Sequence, residues 1–182
     1  IRPFTNIDGQ KSSEIDFIDV TITGASRIGD PGDAFAAIEK VNDKAVLGVS
    51  AEAVGVLETL LQKTVEYSKT RKQFGTVIGT FQALQHRMAD MFIECQLARS
   101  IVVMAAMKLD SSADQREKTK AVSAAKSRVG KAIRRVSQEA VQIHGGIGVT
   151  NELDVGHYFK RATALEIMFG NTDYHVERFA SL

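Results

Sequence analysis

Residues 117–152, "EKTKAVSAAKSRVGKAIRRVSQEAVQIHGGIGVTNE", decide how the chain can fold. Small and apolar residues recur at helical spacing in the first part of this stretch, which predicts a helix over residues 117–144. Small side chains allow a neighbouring helix to approach closely. The stretch therefore predicts a tightly packed helix that ends in a glycine-rich loop. The residues that form its packed side are Ala121, Ala125, Val129, Ala132, Val136 and Ala140.

The chain on either side of this stretch also has helical periodicity. A first helix over residues 33–69 carries Val54, Leu57, Leu61 and Val65 on one stripe. A second helix is expected to begin with Thr80 as its N-cap, and a fourth covers residues 153–168, followed by a short tail helix. Short loops join these helices, so residues 33–182 are predicted to form an all-α, antiparallel four-helix bundle. The expected buried side of the second helix is Leu84, Met88, Met91, Cys95, Ala98, Val102 and Ala105.

Residues 1–32 are predicted to be a short β segment ahead of the bundle. In "SEIDFIDVTITG", residues 13–24, apolar and acidic residues alternate up to Phe17, and the phase changes at Val20. This pattern predicts a strand with a bulge or bend near Ile18 and Asp19. The turn residues of "GDPGDA" end the segment, so the domain boundary is expected between residues 32 and 33.

The composition excludes several classes of function. The chain has 182 residues, with 23 Lys and Arg against 22 Asp and Glu, so no overall charge attracts nucleic acid or an acidic membrane. The longest apolar run, "IVVMAAM", is far shorter than the ~18 residues of a membrane span. No secretory signal opens the chain. Because it begins with Ile1 rather than Met, we expect a processed product or a piece of something longer.

Cys95 is the only cysteine, which excludes a disulfide framework and a multi-cysteine metal site. A single cysteine suits a reducing cytosol, so a cytoplasmic location is expected. Its helical neighbours Met91 and Ala98 favour a buried structural thiol over a reactive one. The four histidines lack the spacing of a zinc site, so each is interpreted as a polar packing residue.

The segment "RKQFG", residues 71–75, admits two interpretations. Cations at the end of a helix are favoured by its dipole, and a glycine can terminate the helix. Alternatively, Arg71, the amides of Gln73 and Gln82 and the rings of Phe74 and Phe81 lie around one helix-helix corner. Such a corner could hold a phosphate with an attached ring.

The loop "GGIG", residues 145–148, has the same ambiguity. It could be a helix C-cap that needs left-handed backbone, because closely spaced glycines are weak evidence for phosphate binding. It could also let a ligand lie against the bare backbone of Gly145 and Gly146, with the amide of Gln142 in reach. The local chemistry leaves both open.

Three motifs occur together and in order: "YSKTRKQFGTVIGTFQALQHRMADM" at residues 67–91, "EAVQIHGGIGVTNELDVGHYFKR" at 139–161, and "IMFGNT" at 167–172. In this arrangement residues 33–182 closely resemble the C-terminal helical domain of the acyl-CoA dehydrogenase family. The resemblance implies that residues 1–32 are the last strands of the family's middle β-domain. It also implies that the sequence is the back half of a chain about twice as long.

The resemblance implies a site for FAD, formed where the 71–75 corner and the 145–148 loop bind the pyrophosphate and adenosine end of a flavin held by a neighbouring subunit. Asn171 matches a family position beside the redox ring, and Asp43 matches one that contacts the CoA pantetheine. The implied cofactor-binding residues are Arg71, Gln73, Phe74, Gln82, Gln142, Gly145, Gly146 and Asn171.

The family's catalytic glutamate has no counterpart here. In the family, a glutamate removes the α-proton while the β-hydrogen leaves as hydride to the flavin, and Phe169 stands at the common position of that glutamate. Ala45 stands at the position that a minority of the family uses. The carboxylates nearest to these positions, Glu39, Asp43 and Glu166, match neither of them. No catalytic residue is therefore assigned, and no metal is expected.

The implied function is α,β-dehydrogenation of an acyl-CoA, with electrons passed to an electron-transferring flavoprotein. The missing glutamate resembles the base-lacking small subunit of heteromeric acyl-CoA dehydrogenases, such as those for pimeloyl-CoA or steroid side chains. The implied assembly is a homo-oligomer, either dimer or tetramer, or a heterotetramer with a Glu-bearing subunit. One alternative is a non-catalytic oligomerisation module that has lost turnover. Another is nitroalkane oxidation or DNA association, which the missing base and the balanced charge disfavour.

Overall fold

The computed structural model describes residues 1–32 and 34–182, and this part of the chain is mainly helical. Its five α-helices confirm the predicted all-α bundle with a short N-terminal β segment. The expected beginning of the first helix at Asp33 lies outside the described residues. The helices are α1 (Ala34–Thr70), α2 (Gln82–Asp110), α3 (Gln115–His144), α4 (Val155–Ile167) and α5 (Thr172–Ser181).

Helix α3 is the central element, since it contacts α1, α2, α4 and α5. The side chain of Asp114 caps it by accepting a hydrogen bond from the Glu117 backbone N–H at 2.8 Å. The small residues predicted to form its packed side are buried, except Ala121, which is only partly covered. Close packing by small side chains therefore places α3 in the middle of the bundle.

The buried side of α1 differs by one residue from the predicted stripe in its C-terminal half. This half buries Leu60, Thr64 and Ser68, whereas Leu61 and Val65 are only partly covered. The two buried hydroxyls are satisfied locally, because Thr64 donates to the Leu60 carbonyl at 2.6 Å and Ser68 to the Val65 carbonyl at 2.7 Å. Small polar residues can therefore occupy core positions that an apolar pattern does not reveal. Val54 and Leu57, the other members of the predicted stripe, are buried.

Helix α2 begins one residue later than predicted. Its first residue is Gln82 and its N-cap is Phe81, so the prediction that Thr80 is the N-cap is wrong. Thr80 lies in a 3-10 turn, where its hydroxyl donates to the Val77 carbonyl at 2.8 Å. The Thr80 hydroxyl is therefore bonded within the 3-10 turn and does not cap α2.

The side of α2 that faces the bundle agrees with the prediction. It buries Met91, Cys95, Ala98, Val102 and Ala105, with Leu84 and Met88 packed partly against them. Burial raises the pKa of Cys95 to about 12, so at neutral pH the side chain is an unreactive thiol. The interpretation of Cys95 as a structural thiol is confirmed.

The N-terminal β segment is a hairpin of β1 (Arg2–Thr5) and β2 (Lys11–Glu14), paired antiparallel. The strand predicted over residues 13–24 is wrong beyond Glu14, because within the described chain residues 15–24 have no pairing partner. Asp19 takes a positive φ of 52°, which bends the chain where a bulge was expected. Phe17 and Ile18 are about four-fifths exposed. Alternating apolar residues were therefore not sufficient to form a strand here, because a strand also needs a neighbouring strand for its backbone hydrogen bonds.

Arg161 of α4 fastens the hairpin to the bundle. Its guanidinium donates to Asp8 in the hairpin turn at 2.6 Å and to both carboxylate oxygens of Glu52 on α1, at 2.6 and 2.8 Å. The hydrogen bond from Arg161 lowers the pKa of Asp8. A bidentate pair fixes orientation as well as distance, so this side chain sets where the hairpin lies on α1 and α4.

Helix α1 is long and apolar enough, by length and composition, to cross a membrane, with an 18-residue window of mean hydropathy 1.4. A core helix of a globular domain meets the same criterion. Here α1 contributes Val46, Leu57 and Leu60 to the core that it shares with α2 and α3. Packing in the core therefore accounts for these apolar residues of α1, whereas Phe35, Ile38 and Val41 near its first turns are exposed.

Candidate functional site

A tight hairpin forms the corner between α1 and α2. Its two short strands are β3 (Lys72–Gln73) and β4 (Thr76–Val77), and at its tip Phe74 and Gly75 have positive φ values of 54° and 81°. A two-residue tip with left-handed backbone matches the twist of paired strands. The Arg71 carbonyl also accepts a hydrogen bond from Ile78 N–H at 2.8 Å. The backbone that carries the arginine is therefore fixed on both sides.

The tip presents an exposed aromatic ring. Phe74 is 91% exposed, yet its ring is held edge-on against Phe81, with the ring centroids 6.0 Å apart. Edge-to-face pairs of this kind restrict the orientation of both rings. The corner therefore offers an oriented aromatic surface to a planar ligand.

The glycine loop at the end of α3 is both a helix cap and an open backbone surface. Gly145 ends α3 with a φ of 68°, and its N–H bonds to the carbonyls of Val141 and Gln142, as expected of a helix C-cap. A β-carbon placed on Gly145 or Gly146 would meet nothing within 4 Å. The two interpretations of this loop are therefore compatible.

Tyr67 and His144 bring the corner and the loop together. Their rings stack with centroids 4.3 Å apart, and the Tyr67 hydroxyl donates to the His144 carbonyl at 3.4 Å. Burial lowers the pKa of His144, whose Nδ1 lies 2.8 Å from the Ala140 carbonyl. Sequence reasoning did not identify this stack, because the two residues lie 77 positions apart and neither has a local signature.

A cavity of about 480 Å³ lies between the corner and the loop and is lined from both. No described carboxylate is within salt-bridge distance of Arg71, whereas Arg87, which also lines the cavity, is paired with Glu139 at 2.9 Å. The Arg71 guanidinium is therefore available to an anion in the cavity. The residues predicted from sequence that line it are Arg71, Gln73, Phe74, Gln142, Gly145 and Gly146.

Two of the predicted cofactor residues do not line this cavity. Gln82 is the exposed first residue of α2, and its neighbours Phe81 and Ala83 line the cavity instead. Asn171 is the N-cap of α5, where its side-chain oxygen accepts a hydrogen bond from Tyr174 N–H at 3.0 Å. For both residues, contact with a flavin stays a prediction.

Asp43, the predicted substrate contact, is buried in a network that joins three helices. Its Oδ1 accepts from Arg178 of α5 at 2.7 Å, and its Oδ2 accepts from Thr119 of α3 at 2.6 Å and from Gln115 at 3.2 Å. Both carboxylate oxygens are thus bonded within the bundle. The structure gives Asp43 a role in packing, and its contact with CoA stays a prediction.

The two positions where the resemblance would place a catalytic base meet at a second cavity. Phe169 and Ala45 both line this pocket of about 520 Å³, together with apolar residues of α1 and Ile28. No described residue in its lining has a carboxylate. Glu166, one of the carboxylates considered from sequence, instead binds Arg134 and Thr172. The arrangement suits an apolar chain and supplies no base from these residues.

Among the described residues, no group of three or more His, Cys, Asp or Glu side chains is placed to hold a metal ion. His144 and His175 are buried packing residues, as expected. The same interpretation is wrong for His86 and His157, which are exposed on α2 and α4. The sequence pattern could not distinguish the buried histidines from the exposed ones, because all four lie within or at the end of a helix.

The fold and the site together define an all-α domain with a cavity between helix ends, lined by arginine side chains, aromatic rings and open glycine backbone. The chain belongs to the acyl-CoA dehydrogenase C-terminal domain family, which it matches over residues 35–181.

Similarity to individual proteins agrees with this assignment. The chain is 35% identical over 167 residues to the probable acyl-CoA dehydrogenase YngJ of Bacillus subtilis, covering 92% of this chain and 43% of that protein. A solved structure of PigA with FAD and proline superposes with a TM-score of 0.91 at 28% identity, over 99% of this chain and 47% of PigA. The ChsE4-ChsE5 complex of Mycobacterium tuberculosis gives a TM-score of 0.88 at 27% identity, over 98% and 47%. The chain thus spans less than half the length of these relatives.

Proposed function

We propose that this chain is the C-terminal helical domain of an FAD-dependent acyl-CoA dehydrogenase, and that it completes a flavin site without supplying the catalytic base. The observation that carries the proposal is that Arg71 and the Gly145–Gly146 backbone face one cavity. Arg71 and the two glycines lie in different sequence motifs, far apart along the chain. They come together only in the folded bundle. Residues 1–32 would then be the end of the middle β-domain.

The residues at the cavity fit the pyrophosphate and adenosine end of FAD. The Arg71 guanidinium offers forked donors to a doubly charged phosphate group. Gly145 and Gly146 leave open space where side chains would stand, so phosphate oxygens can approach the backbone. Phe74 and Phe81 provide an aromatic surface for a planar ring. The bound flavin would supply the hydride acceptor for the reaction.

The similarity to known proteins supports the cofactor and the reaction class. PigA, of similar fold, was solved with FAD, and YngJ is described as a probable acyl-CoA dehydrogenase. On this basis the substrate is an acyl-CoA whose acyl chain enters the apolar cavity at Phe169 and Ala45. An electron-transferring flavoprotein would reoxidise the flavin, and the single cysteine suits a protein of the reducing cytoplasm.

A base from another subunit would complete the chemistry. Removal of a proton next to a thioester needs a positioned base, and neither Phe169 nor Ala45 can accept a proton. The solved ChsE4-ChsE5 complex is a precedent for two-component assembly in this fold. We therefore favour a heteromeric assembly with a Glu-bearing subunit over a homo-oligomer that carries out turnover alone.

The outer face of α2 is the surface that we assign to association with a second copy or a homologous subunit. Phe92, Ile93 and Leu97 are each half exposed there. Three further apolar residues continue this face along the helix and are also exposed, namely Val103, Met104 and Met107. Helix α2 is thus apolar on both sides, which is typical of a helix that is buried by a partner as well as by its own bundle.

FAD retention by the assembled flavoprotein tests the proposal. Arg71→Ala is expected to weaken FAD binding roughly 10- to 100-fold, because a charge-assisted bond to phosphate is lost. Lys72→Ala is the matched control on the same turn, and as a solvated cation it should change binding by less than about twofold. Equal loss in both variants would show that the corner acts only through general charge and would contradict the assigned site.

The alternative is a non-catalytic oligomerisation module that has lost turnover. It is favoured by the apolar cavity without a described carboxylate, and disfavoured by the unpaired, cavity-facing Arg71. A module of this kind would retain assembly but not FAD. The FAD content of the purified assembly therefore separates the two candidates.

A further inference from the structure

The turn between α4 and α5, residues 168–171, has a positive φ at two successive residues, of which only Gly170 adopts it without cost. Phe169 has a φ of 57° and Gly170 a φ of 103°. A side chain at left-handed φ costs free energy, so Phe169 must be held there by its surroundings. The conformation matters because the Phe169 side chain lines the apolar cavity beside Ala45.

Lys126 of α3 holds this turn from within the core. It is the largest side chain that the described part of the protein buries almost completely, at 2% exposure. Its ammonium group donates to the carbonyls of Leu165, Glu166 and Gly170 at 3.0, 2.8 and 3.0 Å. These carbonyls are the unsatisfied acceptors at the end of α4 and in the turn. One cation thus ties the helix end to the turn that follows it.

His175 of α5 holds the turn from its other side. Its Nε2 lies 3.0 Å from the Phe169 carbonyl, and its Nδ1 is buried with no partner among the described residues. Because a carbonyl only accepts, the proton must be on Nε2, and the ring is neutral with a bare Nδ1. Burial lowers the pKa of His175, in agreement with the neutral form.

We propose that Lys126 and His175 are positioning residues that hold the 168–171 turn in its left-handed conformation and thereby direct the residue at position 169 into the apolar cavity. The two donors hold the carbonyls of Phe169 and Gly170, the two residues with positive φ. Only the interpretation of this cavity as an acyl site rests on the proposed function. The turn and its two donors are independent of that interpretation.

The charged groups around Lys126 come from four helices, α1, α3, α4 and α5. The Glu166 carboxylate of α4 is the nearest opposite charge, and it also binds Arg134 of α3 and Thr172 of α5. His175, Arg178 and the Arg178-bound Asp43 lie on the α5 side. Burial lowers the pKa of Lys126 to about 8, and the Glu166 charge opposes this shift. A deprotonated amine has two donors for three carbonyls, so the turn should loosen as the pH rises above about 8.

A single-tryptophan reporter can test the positioning role, because the chain contains no tryptophan. Phe169→Trp places one indole in the turn, and acrylamide quenching, which is insensitive to charge, measures how well the indole is held. The variant is compared in four backgrounds: unsubstituted, Lys126→Met, His175→Leu and Lys131→Met. Lys131 is an exposed lysine on the same helix and serves as the matched control.

The expected result is a rise in the quenching constant of about twofold or more as the pH passes through about 8, in the unsubstituted and Lys131→Met backgrounds. Lys126→Met should show the higher value at every pH, with no transition. Far-ultraviolet circular dichroism at each pH checks that the helices persist. The assay needs neither flavin nor acyl-CoA, so its outcome is separate from that of the proposed function.

Two results would overturn the proposal. One is an indole in the Lys126→Met background that is quenched as in the parent and with the same pH profile. The other is an indole in a His175→Leu background that is quenched as in the parent; this variant keeps Lys126 and its three hydrogen bonds, so it decides the matter even if Lys126→Met does not fold.

Discussion

At the scale of single residues, the region around the 168–171 turn has little free space. Gly130 of α3 passes so close to the start of α5 that a β-carbon placed on it would lie 2.3 Å from Thr172 Oγ1. That hydroxyl also donates to Glu166 Oε1 at 2.9 Å. The threonine therefore cannot move aside without losing a buried hydrogen bond.

Gly130→Ala is expected to lower the free energy of unfolding by about 1–3 kcal/mol, the range for overpacking a core contact. Gly55→Ala on α1 is the matched control, since a β-carbon there meets nothing within 4 Å. It should raise stability by up to about 1 kcal/mol through helix propensity. Urea denaturation measures both changes. An unchanged or more stable Gly130→Ala variant would contradict the packing described at this contact.

Some of the residues proposed to have a function could be predicted from sequence because their chemistry is local. Arg71 and Gly145 stand in short motifs whose spacing indicates a helix end, and the structure places both at one cavity. Tyr67 and Lys126 could not be predicted, because their partners are reached only through the fold. A lysine on a helix is normally solvated, and nothing in the sequence marks Lys126 as buried.

At the scale of elements, two buried histidines make the folding stability depend on pH. His144 ends α3 and His175 lies in α5, and burial lowers the pKa of both below the ordinary value of 6.5. Below pH 6.5 the unfolded chain therefore binds protons that the folded chain does not. Folding stability is complete above about pH 6.5 and is lost as the pH falls toward the folded-state pKa values.

The free energy of unfolding is expected to fall on acidification below about pH 6.5, by at most about 1.4 kcal/mol per pH unit for each histidine. His144→Gln should reduce this slope, whereas His157→Gln, at an exposed site on α4, should leave it unchanged. Urea titrations at several pH values measure the slopes. A parent slope of zero between about pH 6.5 and 5 would contradict the neutral, buried assignment.

The helices could be predicted well because each is long enough for its periodicity to be read. The strand predicted over residues 13–24 was wrong beyond Glu14 for a physical reason: a strand is stabilised by pairing, and periodicity does not reveal whether a partner strand is present. The apolar side chains that gave the signal, such as Phe17 and Ile18, remain exposed. The local sequence pattern therefore showed residues typical of a strand, but it could not show whether they would pair with another strand.

At the scale of the whole molecule, the exposed side of α2 leads to a prediction about assembly. The chain is expected to self-associate at tens of micromolar, and Leu97→Glu should shift it toward monomer by placing a charge in a desolvated interface. Gln138→Glu adds the same charge at an exposed polar residue of α3, outside this face, and should have a smaller effect. Sedimentation velocity measures both. A stable monomer at these concentrations would contradict the assignment of the α2 face.

The central claim is that this chain completes a flavin site but carries no catalytic base. Rapid mixing of the FAD-loaded, full-length homo-oligomer with a panel of acyl-CoAs, followed by flavin absorbance, measures proton and hydride removal directly. We expect slow bleaching in the parent and a gain of roughly 10²-fold in Phe169→Glu, the usual contribution of a positioned general base. Rapid bleaching by the parent homo-oligomer would contradict the claim and identify a base within this chain.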